Sequence, residues 1–123
     1  MDNNTLKIGI ILAMLTVIIG AFGAHGLKDT LVEYGTQETF DTAVQYHGMH
    51  ALALIFVGVL GLNNESKWLN WAKWLFVVGI VFFSGSLYVL SVSGIKILGV
   101  ITPIGGLCFI AGWSMMIASL KSK

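Results

Sequence analysis

The sequence predicts an all-α integral membrane protein, a four-helix bundle with both termini cytoplasmic. Two observations carry that expectation. Of the 123 residues, 56% are hydrophobic and 11% charged, and the apolar residues fall into four runs, each long enough to cross a bilayer. A soluble domain of this size carries about 25% charged residues, so too few polar groups are present to wet an exterior, and a soluble enzyme is excluded. Seven lysines against six acidic residues leave a formal charge of +1, which excludes nucleic-acid binding through a basic face. The single cysteine, Cys108, allows neither an intramolecular disulfide nor a thiolate metal cluster.

A membrane helix needs about 20 apolar residues, because a rise of ~1.5 Å per residue must cover ~30 Å of hydrocarbon. The first run, about 6–24, has no charge after Lys7. It reads as a span rather than a signal peptide, since Ile8 to Phe22 is at the upper length limit of a signal core and only one lysine flanks it. An external loop, 28–43, follows. Within it Leu27, Leu31 and Tyr34 keep i, i+4, i+7 spacing, which predicts a short amphipathic surface helix. Gly35 supplies its stop and Thr36 a cap for the next helix, with Glu38 near that helix's positive end. The second span is about 44–62, on a helix that starts near Gln37. The third is about 71–93, with Lys73 in its first turn. Ile97 to Ile101 reads as either an extra half-turn or an interfacial loop. The fourth span is about 103–120, Thr102 serving as cap and Pro103 as first helical residue. With no linker or low-complexity tract, residues 1–123 form a single transmembrane domain.

Lysine placement sets the orientation, because loops on the cytoplasmic side are enriched in Lys and Arg. The side shared by the two termini and the central loop holds Lys7, Lys67, Lys73, Lys121 and Lys123; the other holds Lys28 and Lys96. Trp68, Trp71 and Trp74 mark the same cytoplasmic interface.

Helices in lipid associate through close contact at small residues and a few hydrogen bonds. The packing candidates are Gly20, Gly23 and Ala24 in the first span, Gly85 in the third, and Gly105, Gly106 and Gly112 in the fourth, with Cys108 a small packing residue. In the third span Ser84, Tyr88 and Ser91 share one face and should point inward, either bonding a neighbouring helix or lining a polar path.

All three histidines map to the external ends of the first two spans, and they are the main chemical lead. His47 and His50, three apart, share a helix face, and His25 ends the helix expected to pack beside them. They read either as interfacial anchors, as ligands of a transition metal (with Asp41 adding an oxygen) or of haem, or as a proton relay. Ser84, Ser86, Ser91 and Ser93 have no histidine at the expected depth to act as base, and no charge sits mid-span, which argues against an ion-coupled transporter.

Four stretches, Gly20-Ala-Phe-Gly-Ala-His-Gly-Leu27, Phe40-Asp-Thr-Ala-Val-Gln-Tyr-His-Gly-Met-His-Ala-Leu-Ala-Leu54, Phe83-Ser-Gly-Ser-Leu-Tyr88 and Ile101-Thr-Pro-Ile-Gly-Gly106, resemble in order the motifs of the uncharacterised small bacterial membrane proteins of the YgdD/YwdK type. That resemblance implies a four-span protein of the bacterial plasma membrane and no established activity. It also implies one outer pocket lined by His25, His47, His50, Ser84, Ser86, Tyr88 and Thr102. Two functions are expected from these residues. The first is a non-enzymatic accessory protein that associates through its small-residue faces with a second copy or a membrane partner; the second is a metal-, haem- or lipid-binding protein using the three histidines. The sequence requires no cofactor, and the bilayer is its one certain surrounding.

Overall fold

The computed structural model describes residues 3–121; Lys123, counted above among the lysines of the terminal side, lies outside them. The described elements are α1 (Asn4–Ala24), α2 (Lys28–Tyr34), α3 (Gln37–Leu60), α4 (Lys67–Gly79), a π-helical turn (Ile80–Gly85), α5 (Ser86–Ser93), a 3-10 turn (Lys96–Val100) and α6 (Thr102–Lys121). Four helical stretches are long and apolar enough to cross a membrane: Asn4–Ala24, Gln37–Leu60, Lys67–Ser93 and Lys96–Lys121. The third therefore runs from Lys67 through the π turn to Ser93, one turn longer at its start than the sequence suggests, and Lys73 lies in its second turn.

Glycines opposite large side chains set the helix pairing. Along α1 and α3 the facing pairs are Leu6 with Gly58, Gly9 with Ile55, Thr16 with Gly48, Gly20 with Val44, and Gly23 with Phe40. The numbers rise along one helix as they fall along the other, which is an antiparallel register held over five turns. The third and fourth spans repeat the device: Phe76 covers Gly112, Phe109 covers Gly79, and Phe83 covers Gly105. A β-carbon at Gly23, Gly79, Gly105 or Gly112 would overlap the opposing ring or backbone. Without a hydrophobic drive between helices in lipid, such close approach supplies the dispersion contact that holds them.

The apolar core lies toward the end that carries both termini. Leu54 and Val57 of α3, Leu69, Ala72 and Phe76 of α4, and Phe109 of α6 are buried there, with Ile8 and Leu12 of α1 against them. The opposite half is tied by hydroxyl groups. Ser84 donates to the Ala43 carbonyl at 2.8 Å, Ser86 and Thr102 share a hydrogen at 2.7 Å, and Thr36 donates to the Ser91 carbonyl at 2.7 Å. Ser84 and Ser91 are fully buried, as expected of an inward stripe.

Two expected caps are corrected. Thr36 does occupy the cap position of α3, but its hydroxyl makes no cap bond and instead ties the loop to α5. Thr102 is the first residue of α6 rather than its cap, its hydroxyl engaged by Ser86. In both cases a hydroxyl between helices, buried at Thr36 and half-buried at Thr102, meets a partner on a neighbouring helix instead of the local backbone N–H. The surface helix α2 forms as expected, with Leu31 buried. Gly35 ends it at φ +66°, a left-handed conformation that favours glycine. The Ile97–Ile101 stretch resolves as the 3-10 turn followed by Ile101.

Gly105→Ala is expected to cost about 1–3 kcal/mol, because its methyl meets the Phe83 backbone. Its neighbour Gly106→Ala, with 3.8 Å of clearance to the Phe83 ring, should be neutral or gain up to ~1 kcal/mol in helix propensity. Thermal unfolding of the two variants in detergent checks the contrast.

Candidate functional site

The three histidines do not converge. His25 caps the end of α1, exposed, beside Val17, Ala21 and Phe22. His47 and His50 are buried but sit in the middle of α3 rather than at its external end, and three residues of separation turn them toward different neighbours. Among the described residues no group of three His, Cys, Asp or Glu side chains is placed to hold a metal ion. The single outer pocket expected from the motifs is thus divided into separate contacts.

His47 meets Tyr88 of α5, Nδ1 to hydroxyl, at 2.7 Å. Its Nε2 is buried without a hydrogen-bond partner. Contrary to expectation, this imidazole lies level with the serine stripe. No serine bonds it, however: Ser84 donates to the Ala43 carbonyl and Ser91 to the Leu87 carbonyl. A nucleophile needs a base in bonding reach, and these hydroxyls are committed to backbone.

His50 is only 2% exposed and both its nitrogens are engaged. Trp113 Nε1–H donates to His50 Nε2 at 3.1 Å, and His50 Nδ1 lies 2.8 Å from the Tyr46 carbonyl. An indole N–H only donates and a carbonyl only accepts. The proton therefore sits on Nδ1, and the ring is the neutral tautomer that donates to Tyr46 and accepts from Trp113. The imidazole lies flat on Phe109, centroids 3.6 Å apart and planes at 7°, with Trp113 edge-on at 5.8 Å and Phe76 at 5.6 Å.

Beside this joint, α3 and α6 stand apart and leave a groove of about 630 Å³. Tyr46 and Met49 of α3, Phe83 of the π turn, and Pro103, Gly106 and Ile110 of α6 line it together with His50 and Trp113. The rings are in mutual contact: Tyr46 with Phe83 at 4.6 Å, Phe83 with Phe109 at 5.4 Å, and Tyr46 roughly parallel to Phe109 at 6.3 Å. The π turn matters here, since it carries Phe83 from a helix packed on α6 into contact with Tyr46 of α3.

Sequence reasoning singled out His50, Gly106 and Thr102 but missed Tyr46, Phe83, Phe109 and Trp113 as one cluster. Tyr46 and His50 share a helix face, and that spacing was a usable signal; the contribution of α6 depends on register across helices.

A family model described as "Protein of unknown function (DUF423)" matches residues 19–106. The chain belongs to that family. Among its relatives, a UPF0382 membrane protein of Staphylococcus haemolyticus is 50% identical over 112 residues, 91% of this chain and 90% of its own. The UPF0382 membrane protein YwdK of Bacillus subtilis is 46% identical over 117 residues, 91% of each chain. No solved structure matches. This family relation, with four membrane-length helices, makes the chain a multi-pass membrane protein of a bacterial family whose function is not established, as the motif resemblance implied.

Removing the indole donor by Trp113→Phe leaves His50 Nε2 buried and unmet, which is expected to cost about 1–3 kcal/mol. Nitrogen-15 NMR of histidine-labelled protein should find His50 protonated on Nδ1 and bare on Nε2. A spectrum showing the Nε2–H tautomer contradicts the assignment.

Proposed function

We propose that this protein is non-enzymatic and acts by holding a lipophilic molecule in the groove between α3 and α6. The groove itself carries the reading. Its volume of about 630 Å³ falls in the range of small-molecule sites, roughly 300–1,000 Å³, and its walls are aromatic and aliphatic with few polar atoms. Because α3 and α6 are both membrane-length helices, entry is from the bilayer.

Of the ligands expected from the histidines, a lipid-like one fits these residues best. Both His50 nitrogens already have partners, His47 is held by Tyr88 at Nδ1 with Nε2 unpartnered but belongs to no group of three metal-ligating side chains among the described residues, and His25 is remote from them along the chain and at a helix end. Association through small-residue faces has less support: Gly23, Gly105 and Gly112 meet Phe40, Phe83 and Phe76 of the same chain, Gly20 meets Val44 in ordinary contact, and Ala24 is exposed at the end of α1. A homo-oligomer or a membrane partner would have to use other faces, such as the exposed side of α1. The lysine distribution supports cytoplasmic termini, with the groove in the outer half of the bilayer.

The test is native mass spectrometry of the protein released from its own membrane in copolymer discs. About one lipophilic molecule per chain is expected to survive ejection. It should be lost in Gly106→Leu, whose side chain enters the groove from a position with space for its β-carbon. Identical spectra for the two proteins would sink the reading.

A further inference from the structure

Resting on that groove reading, we propose the class of its occupant: a flat lipophilic ring bearing a carbonyl acceptor, of the quinone type, bound through the Tyr46 hydroxyl. Three observations lead there. The first is hydrogen-bond accounting. The hydroxyls nearest in the bundle, on Ser84, Ser86, Tyr88 and Thr102, are all bonded. That of Tyr46 has no partner among the described residues, although its ring packs on Phe83 and lines the groove. Tyr46 is 38% exposed, so its hydroxyl is open to whatever fills the groove, and hydrocarbon alone would leave it unmet.

The second observation is depth. Phe83 lies about 15 Å along the helix from Ser93, and Phe109 about 10 Å from Thr102, at ~1.5 Å per residue. Tyr46 packs against the first and faces the second, and it stands about 13 Å along α3 from Gln37 on the same rise, which sets its ring within the apolar layer. An acyl chain reaching this depth carries no acceptor. A ring carried on an apolar tail brings one.

The third is the chemistry of the walls. Tyr46, Phe83 and Phe109 present ring faces suited to stacking a flat ring, while both His50 nitrogens are already committed. Among the described residues that line the groove, Tyr46 is left with a free side-chain donor. An alcohol on the ligand would bring a second hydrogen, and one bond between two hydroxyls leaves one hydrogen unmet. A carbonyl leaves none. The proposal concerns binding alone and involves no electron transfer.

The experiment uses the full chain in nanodiscs of zwitterionic phospholipid, with a radiolabelled decyl-tailed benzoquinone as probe in a scintillation proximity assay. Decylbenzene, which has the tail and ring without carbonyls, is the competitor. Saturable binding is expected, with unlabelled quinone competing about tenfold better than decylbenzene. Tyr46→Phe should weaken quinone about fivefold, the loss of one neutral hydrogen bond, and leave decylbenzene unchanged; Gly106→Leu should remove both. Equal competition by the two compounds, or an unchanged quinone affinity in Tyr46→Phe, overturns the carbonyl assignment and leaves the groove reading standing. Binding that Gly106→Leu does not affect overturns both. An absence of saturable quinone binding overturns the ligand class, and the groove reading then stands or falls on the co-purified molecule.

Discussion

The stacked joint of His50, Phe109 and Trp113 is the contact on which the arrangement of this bundle turns. α1 pairs with α3, and α6 with α4, along glycine-lined registers, but α3 and α6 barely approach each other along their backbones. The imidazole bridges that gap. It lies flat on Phe109 and takes the Trp113 N–H, so this buried side chain links the second span to the fourth. A polar group at this depth survives because each of its nitrogens is satisfied, and the Trp113 indole, half-exposed toward lipid, gains an acceptor it would otherwise lack. The groove follows directly: two helices kept apart and joined at one level leave open space beside the joint.

The rest of the bundle divides into two kinds of cohesion. Toward the termini it is close apolar packing, Phe76 in the notch of Gly112 and Leu6 against Gly58. Toward the α2 end it is hydroxyl groups donated across helices, such as Ser84 to the Ala43 carbonyl and Thr36 to the Ser91 carbonyl. The second kind ties the π turn to α3 and α5 to the loop that precedes α3. The π turn lies between the two regions, with Gly79 just before it and Gly85 at its end, and it sets the angle at which Phe83 reaches Tyr46.

Much of this architecture was legible in the residues. Hydropathy alone located four spans, and the Leu27, Leu31, Tyr34 spacing with Gly35 located α2, because those signals depend on one segment at a time. What could not be read depends on two segments at once. Thr36 and Thr102 look like caps until a neighbouring helix offers Ser91 and Ser86. The glycines mark contact faces in any case, but whether the opposing ring comes from the same chain is decided by register: Gly23 meets Phe40 and Gly105 meets Phe83. The histidines illustrate the limit most clearly. A spacing of three places His47 and His50 on neighbouring faces, yet one is taken by Tyr88 and the other by Trp113, 41 and 63 residues away.

If the joint holds α3 to α6, then His50 and Trp113 must be energetically coupled. A double-mutant cycle with His50→Ala and Trp113→Phe, read by reversible unfolding in detergent, measures that coupling directly. The predicted value is about 1–2 kcal/mol, combining a hydrogen bond with an edge-on ring contact. Strict additivity of the two substitutions would contradict the account.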